Sequence, residues 1–213
     1  MSNIFDYDGG IMSTINKIVD CILLGMLWLL FSIPLITIGA STTALYYTVN
    51  KVIRHDRSHI AREFWRGFKT NFVQSTIVWL ILVVAYTLVV GNCIFFFKLR
   101  PNNLMLGFNV AVLVVLTMWS LHLFPYIARF QIGLKALMKN CVYFAVRHIL
   151  KTLILLILLV VAVLAMMIFF PCVIIAPVLY MLAATFFLEP IYLRYMSDED
   201  YLAEQERNQV YRN

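Results

Sequence analysis

The chain has 213 residues, of which 62% are hydrophobic and only 13% charged, with a formal net charge of +6 and a mean hydropathy of +0.86. Soluble domains carry about 45–50% apolar and about 25% charged residues, so there is too little polar surface here to coat a water-soluble globule, and the bilayer is the expected solvent. The positive charge does not point to nucleic acid: the bases lie between long apolar runs, where membrane topology accounts for them.

The first residues hold Asp6, Asp8 and a single base, Lys17. A cleavable secretory leader begins with a positive segment and a short apolar run. No such leader is expected, and the following apolar stretch is read as an anchor. A hydrocarbon core of about 30 Å needs about 20 apolar residues in a helix. Spans are therefore predicted over about 18–39, 72–97 and 104–126. The last apolar stretch, from Thr152 to Leu193, would reach roughly 60 Å as one helix, about twice the core thickness. It is expected to turn back at Pro171-Cys172, where proline removes a helix hydrogen bond, giving spans 152–170 and 173–193. The predicted fold class is all-α: a single membrane domain, a polytopic helical bundle of five spans.

Lys and Arg set the orientation. Fourteen of the seventeen fall in loops 41–71 and 127–151 or in the tail 194–213, and only Lys17, Lys98 and Arg100 lie on the other side. Positively charged loops stay in the cytoplasm. The expectation is a multi-pass protein of the bacterial cell membrane, with the N-terminus outside and the C-terminus cytoplasmic.

Both basic loops carry helical periodicity. In the first, Leu45, Val49 and Val52 form one apolar stripe and Ile60, Phe64, Phe68 and Phe72 another, with Lys51, Arg54, Glu63 and Arg66 opposite. In the second, Leu134, Leu137, Met138, Cys141 and Ala145 recur, with Lys135 and Lys139 facing away. Basic amphipathic helices of this kind lie in the interface or extend a span below it. Candidate contacts to a partner or to anionic lipid are Arg54, Arg57, Arg62, Arg66, Lys69, Lys135, Lys139 and Arg147, with lipid attracting each base by about 1 kcal/mol. A weak internal repeat aligns FWRGFKTNFVQS with VYFAVRHILKTL.

In the first span, Pro34 is expected to kink the inner half, Gly39 to offer a hinge, and Thr42 or Thr43 to cap the next helix. Pro34, Thr37, Gly39 and Thr42 are thus the candidate hinge or coupling residues, weighed against a plain kink and cap. Ionisable groups within spans are functional candidates. Here Asp20 is placed beside Lys17, Glu189 within reach of Arg194, and His122 near an inner end, all read as interfacial. His55 and His59 form an i,i+4 pair that suits a metal only if helical. Cys21, Cys93 and Cys172 fall near the outer ends; buried free thiols are the favoured reading over a disulfide among them. Neither enzyme signatures nor an ATP-binding lysine loop occur, and no catalytic residue, metal or cofactor is expected. The tail from Ser197 reads as a solvated terminus.

The run Trp28-Leu29-Leu30-Phe31-Ser32-Ile33-Pro34-Leu35-Ile36-Thr37-Ile38-Gly39, continuing through Ala44-Leu45-Tyr46-Tyr47, resembles the YesL-like family of bacterial membrane proteins. Phe64, Phe68, Lys69, Asn71 and Phe72 add to the likeness, as do Phe124-Pro125-Tyr126, Leu134-Lys135-Ala136-Leu137 and Arg147-His148. The resemblance implies a multi-span protein of Gram-positive bacteria, commonly encoded beside sugar ABC importers and two-component regulators. It suggests a non-catalytic accessory or structural role in carbohydrate uptake or its sensing, with an importer permease, an ATPase or a sensor kinase as partner. It brings no established biochemical activity. A stand-alone small-solute transporter or channel is the alternative, and self-association into a homo-oligomer is left open.

Overall fold

A computed structural model describes residues 10–53, 59–99, 101–130, 132–169 and 171–196. The described residues form seven α-helices: α1 (Gly10–Ser32), α2 (Ile38–Thr48), α3 (Ile60–Ile94), α4 (Asn103–Arg129), α5 (Leu134–Arg147), α6 (Ile149–Ile168) and α7 (Cys172–Arg194). Five of them, α1, α3, α4, α6 and α7, are long and apolar enough to cross a membrane. The chain is a multi-pass membrane protein.

The breaks follow local chemistry. The first helix ends at Ser32, short of the expected Gly39, because Pro34 is held in extended geometry (φ −74°, ψ 109°) and cannot continue a helical ladder. The chain then makes a single 3₁₀ turn, Leu35–Thr37, before α2 begins. Asn102 starts α4 by accepting the backbone N–H groups of Leu104 and Met105 at 3.1 and 3.3 Å. The long apolar stretch folds back as expected, with α6 ending at Ile168 and α7 starting directly after Pro171.

Two elements of the first basic loop differ from one another. Residues 60–71 join the second span as one continuous helix, α3, with Ile60, Phe64 and Phe68 buried and Arg62, Arg66 and Lys69 exposed. Helix α2 is not an interfacial helix. Its Leu45 is buried as expected, with Val49 and Val52 in the π-helical turn that follows, but so are Gly39, Ala40, Ser41, Thr43, Ala44, Tyr46 and Thr48. A helix with no charged face is stable only in a core. Two of its hydroxyls are satisfied within the helix, Thr43 donating to the Gly39 carbonyl at 2.9 Å and Thr48 to that of Ala44 at 2.8 Å.

Helix α2 lies antiparallel to α3, with Thr43 Oγ1 and Ser75 Oγ 2.9 Å apart. Gly39 lets the two backbones approach: a Cβ there would stand 2.6 Å from Trp79 Cβ and 2.7 Å from the Ser75 carbonyl oxygen. Gly25 does the same between α1 and α7, where a Cβ would fall 2.0 Å from the Ile174 carbonyl oxygen. Buried side chains concentrate in α2, the first half of α3, the end of α4, α5 and the second half of α7. The core therefore sits toward the end that carries the exposed bases, and the opposite halves of α3 and α4 face outward.

Candidate functional site

The most heavily buried charge in the described core is Glu189 of α7, 3% exposed. Tyr46 Oη donates to its Oε1 at 3.0 Å and Asn50 Nδ2 to the same oxygen at 2.8 Å. Arg129 Nη2, at the end of α4, stands 3.5 Å from Oε2. One carboxylate thus ties α2, the π-helical turn after it, α4 and α7 together. Burial, and next the negative charge of Glu189, hold the Tyr46 phenol well above its ordinary range, so it stays a donor. One turn along α7, the Tyr192 ring meets Tyr126, Phe130 and Phe144 edge-on at 5.6, 5.8 and 5.9 Å, which adds α5 to the junction.

A second polar contact fixes the joint between α5 and α6. His122 Nε2 lies 2.9 Å from Thr152 Oγ1, and that hydroxyl is 3.1 Å from the His148 carbonyl oxygen. Burial lowers the pKa of His148, and the nearby cations Lys151, Arg147 and Arg194 lower it further. Farther into the spans is a cavity of about 240 Å³, bounded by Trp28, Thr42, Trp79, Phe124, Ala162 and Tyr180 among others.

The candidate hinge residues are placed apart from this junction. Pro34 is exposed on the elbow. Thr37 Oγ1 lies 2.7 Å from the carbonyl oxygens of both Phe31 and Pro34, which staples the turn shut. Gly39 is packed between α2 and α3, as described above. Thr42 accepts from Trp28 Nε1 at 3.4 Å, and neither Thr42 nor Thr43 caps a helix: Thr37 occupies that position and its side chain makes no capping bond.

Among the candidate contact residues, Arg62, Arg66 and Lys69 are exposed along α3, and Lys135, Lys139 and Arg147 along α5. Arg54, Arg57, His55 and the tail from Ser197 lie outside the described residues. Gln74 Nε2 donates to the Ile132 carbonyl at 2.8 Å, linking α3 to the segment that leads into α5. Two sequence readings change. Arg129, counted among the loop bases, is mostly enclosed at the junction, and it takes the place assigned to Arg194 as the partner of Glu189. The available signal was two opposite charges at matching depths of two apolar spans. All four cysteines are free thiols. His59 starts α3 in left-handed geometry (φ 82°), exposed, and among the described residues no three His, Cys, Asp or Glu side chains gather as metal ligands would.

Residues 21–93 match a family model, Protein of unknown function, DUF624. The matched stretch runs from α1 through the elbow and α2 to the last turns of α3. No curated protein and no solved structure matches the chain.

Proposed function

We propose that this protein is a non-catalytic accessory or structural subunit of the bacterial cell membrane, associated with carbohydrate uptake of the ABC type or with its sensing. The YesL-like resemblance supplies the carbohydrate context. The observation that carries the reading is the placement of the packing: buried groups gather at the end where Arg62, Arg66, Lys69, Lys135, Lys139 and Arg147 stand exposed. Bases mounted on helices whose other faces are locked form a rigid platform, and rigid presentation lowers the ordering cost of docking. With that end in the cytoplasm and the N-terminus outside, the platform faces an importer permease, its ATPase, or a sensor kinase. The same bases attract anionic headgroups of the bilayer.

The test is purification of the tagged protein in mild detergent from its native host, with the importer and kinase subunits followed by mass spectrometry. Recovery of an importer or kinase subunit that is lost on reversing Lys135, Lys139 and Arg147 to Glu supports the reading. A protein recovered alone, with no crosslinked neighbour, overturns it. The alternative is a stand-alone small-solute transporter or channel, for which uptake into proteoliposomes is the test.

A further inference from the structure

The cavity lies between α1, α2, α3, α4, α6 and α7, at span depth rather than at either surface. We propose that it is a site for one hydrocarbon chain of a bilayer lipid. Three observations carry this. Four polar side chains on its wall are already engaged by the protein: Trp28 Nε1 donates to Thr42 Oγ1 at 3.4 Å, Trp79 Nε1 to the Leu35 carbonyl at 2.8 Å, and Ser120 Oγ to the Thr117 carbonyl at 2.8 Å. A buried water needs two to four polar partners of its own, so the wall offers water little.

The second observation is size. Apolar cavities of about 150 Å³ stay dry and accept a benzene ring, and this one holds about 240 Å³. The third is its surroundings. An unfilled void forfeits the dispersion contacts of everything that lines it, and the fluid at that depth is lipid hydrocarbon. Leu159, Ala162 and Met166 form one face of α6 along the wall and are only partly covered, so a chain enters beside α6. Ala162 makes the space: it is the smallest side chain on that face.

This inference is independent of the docking role and is tested separately. In a Trp65→Phe, Trp119→Phe background the remaining tryptophans, Trp28 and Trp79, both line the cavity. The protein is reconstituted in phosphatidylcholine vesicles brominated at mid-chain, and its fluorescence is compared with that in unbrominated vesicles and with aqueous acrylamide. Strong quenching by bromine and weak quenching by acrylamide are expected, with the bromine quenching falling about twofold in Ala162→Phe, whose ring occupies the space. Quenching by acrylamide in preference to bromine identifies a water-filled cavity and overturns the proposal. So does equal bromine quenching in folded Ala162→Phe. Should that variant fail to fold, Ala162→Met replaces it, read in the same way.

Discussion

Arg129 Nη2, at the end of α4, stands 3.5 Å from Glu189 Oε2 in the last turns of α7. Their side chains are 13% and 4% exposed. A pair so enclosed is costly to break from one side, because the remaining charge stays buried, whereas replacing both partners with apolar groups is often neutral. Glu189→Ala is therefore expected to lose about 3–5 kcal/mol of stability, read as a lowered melting temperature in detergent. The double variant Arg129→Met, Glu189→Met should recover only the part of that loss due to the stranded charge, since the buried donors of Tyr46 and Asn50 still lack their acceptor. Equal melting temperatures for Glu189→Ala and the native chain would remove the junction as a structural tie.

Tyr46→Phe isolates one donor of the same cluster. A hydrogen bond to a charged group contributes about 1.5–3 kcal/mol, and the substitution keeps the ring. The expected melting point lies between those of the native protein and Glu189→Ala.

Close helix contacts give a contrast among glycines. Gly39→Ala would drive a Cβ into Trp79 and the Ser75 carbonyl, and overpacking of this kind costs about 1–3 kcal/mol. Gly107→Ala meets nothing within 4 Å and sits in a helix, where alanine is favoured by up to about 1 kcal/mol. Thermal unfolding of the two variants should move in opposite directions; a shared direction refutes the packing account.

The lowered pKa of His148 makes the joint between α5 and α6 acid-sensitive. Below the ordinary value of 6.5 the unfolded chain takes up a proton that the folded chain still refuses. Stability is thus complete above that pH, declines as pH falls toward the lowered folded value, and then levels off. Hydrogen-exchange protection at the start of α6, after correction for the intrinsic pH dependence of amide exchange, should fall as pH drops from 7.5 to 5.5, and His148→Gln should flatten the response.

Orientation can be read from thiols. Burial pushes the Cys141 thiol up, and the folded protein should leave it unreactive to maleimide, since the thiolate is the nucleophile. With Cys21, Cys93 and Cys172 replaced by Ser, a cysteine placed by Lys139→Cys is the exposed thiol among the described residues. An impermeant maleimide should reach it only after cells are opened, and labelling on intact cells would reverse the proposed topology.

Much of this molecule was legible in its residues one segment at a time. Apolar runs of span length, the proline turn at Pro171, and the stripes Ile60-Phe64-Phe68 and Leu137-Cys141-Ala145 are properties of single segments, and each appears where periodicity places it. Helix α2 was less legible, because a run of Gly, Ala, Ser and Thr declares neither a polar nor an apolar face until its neighbours close around it.

The partition of a segment between water and oil depends on that segment alone, so hydropathy and charge by themselves determined that this is a five-span helical protein. Which helix meets which depends on shape and pairing between residues far apart in the chain. The partner of Glu189, the burial of α2 against Gly39 and Trp79, and the space beside Ala162 belong to that second kind, and only the packed structure decided them. In a bilayer the helices gain nothing from merely being apolar; small residues and a few satisfied polar groups select the arrangement, and hydropathy is blind to both.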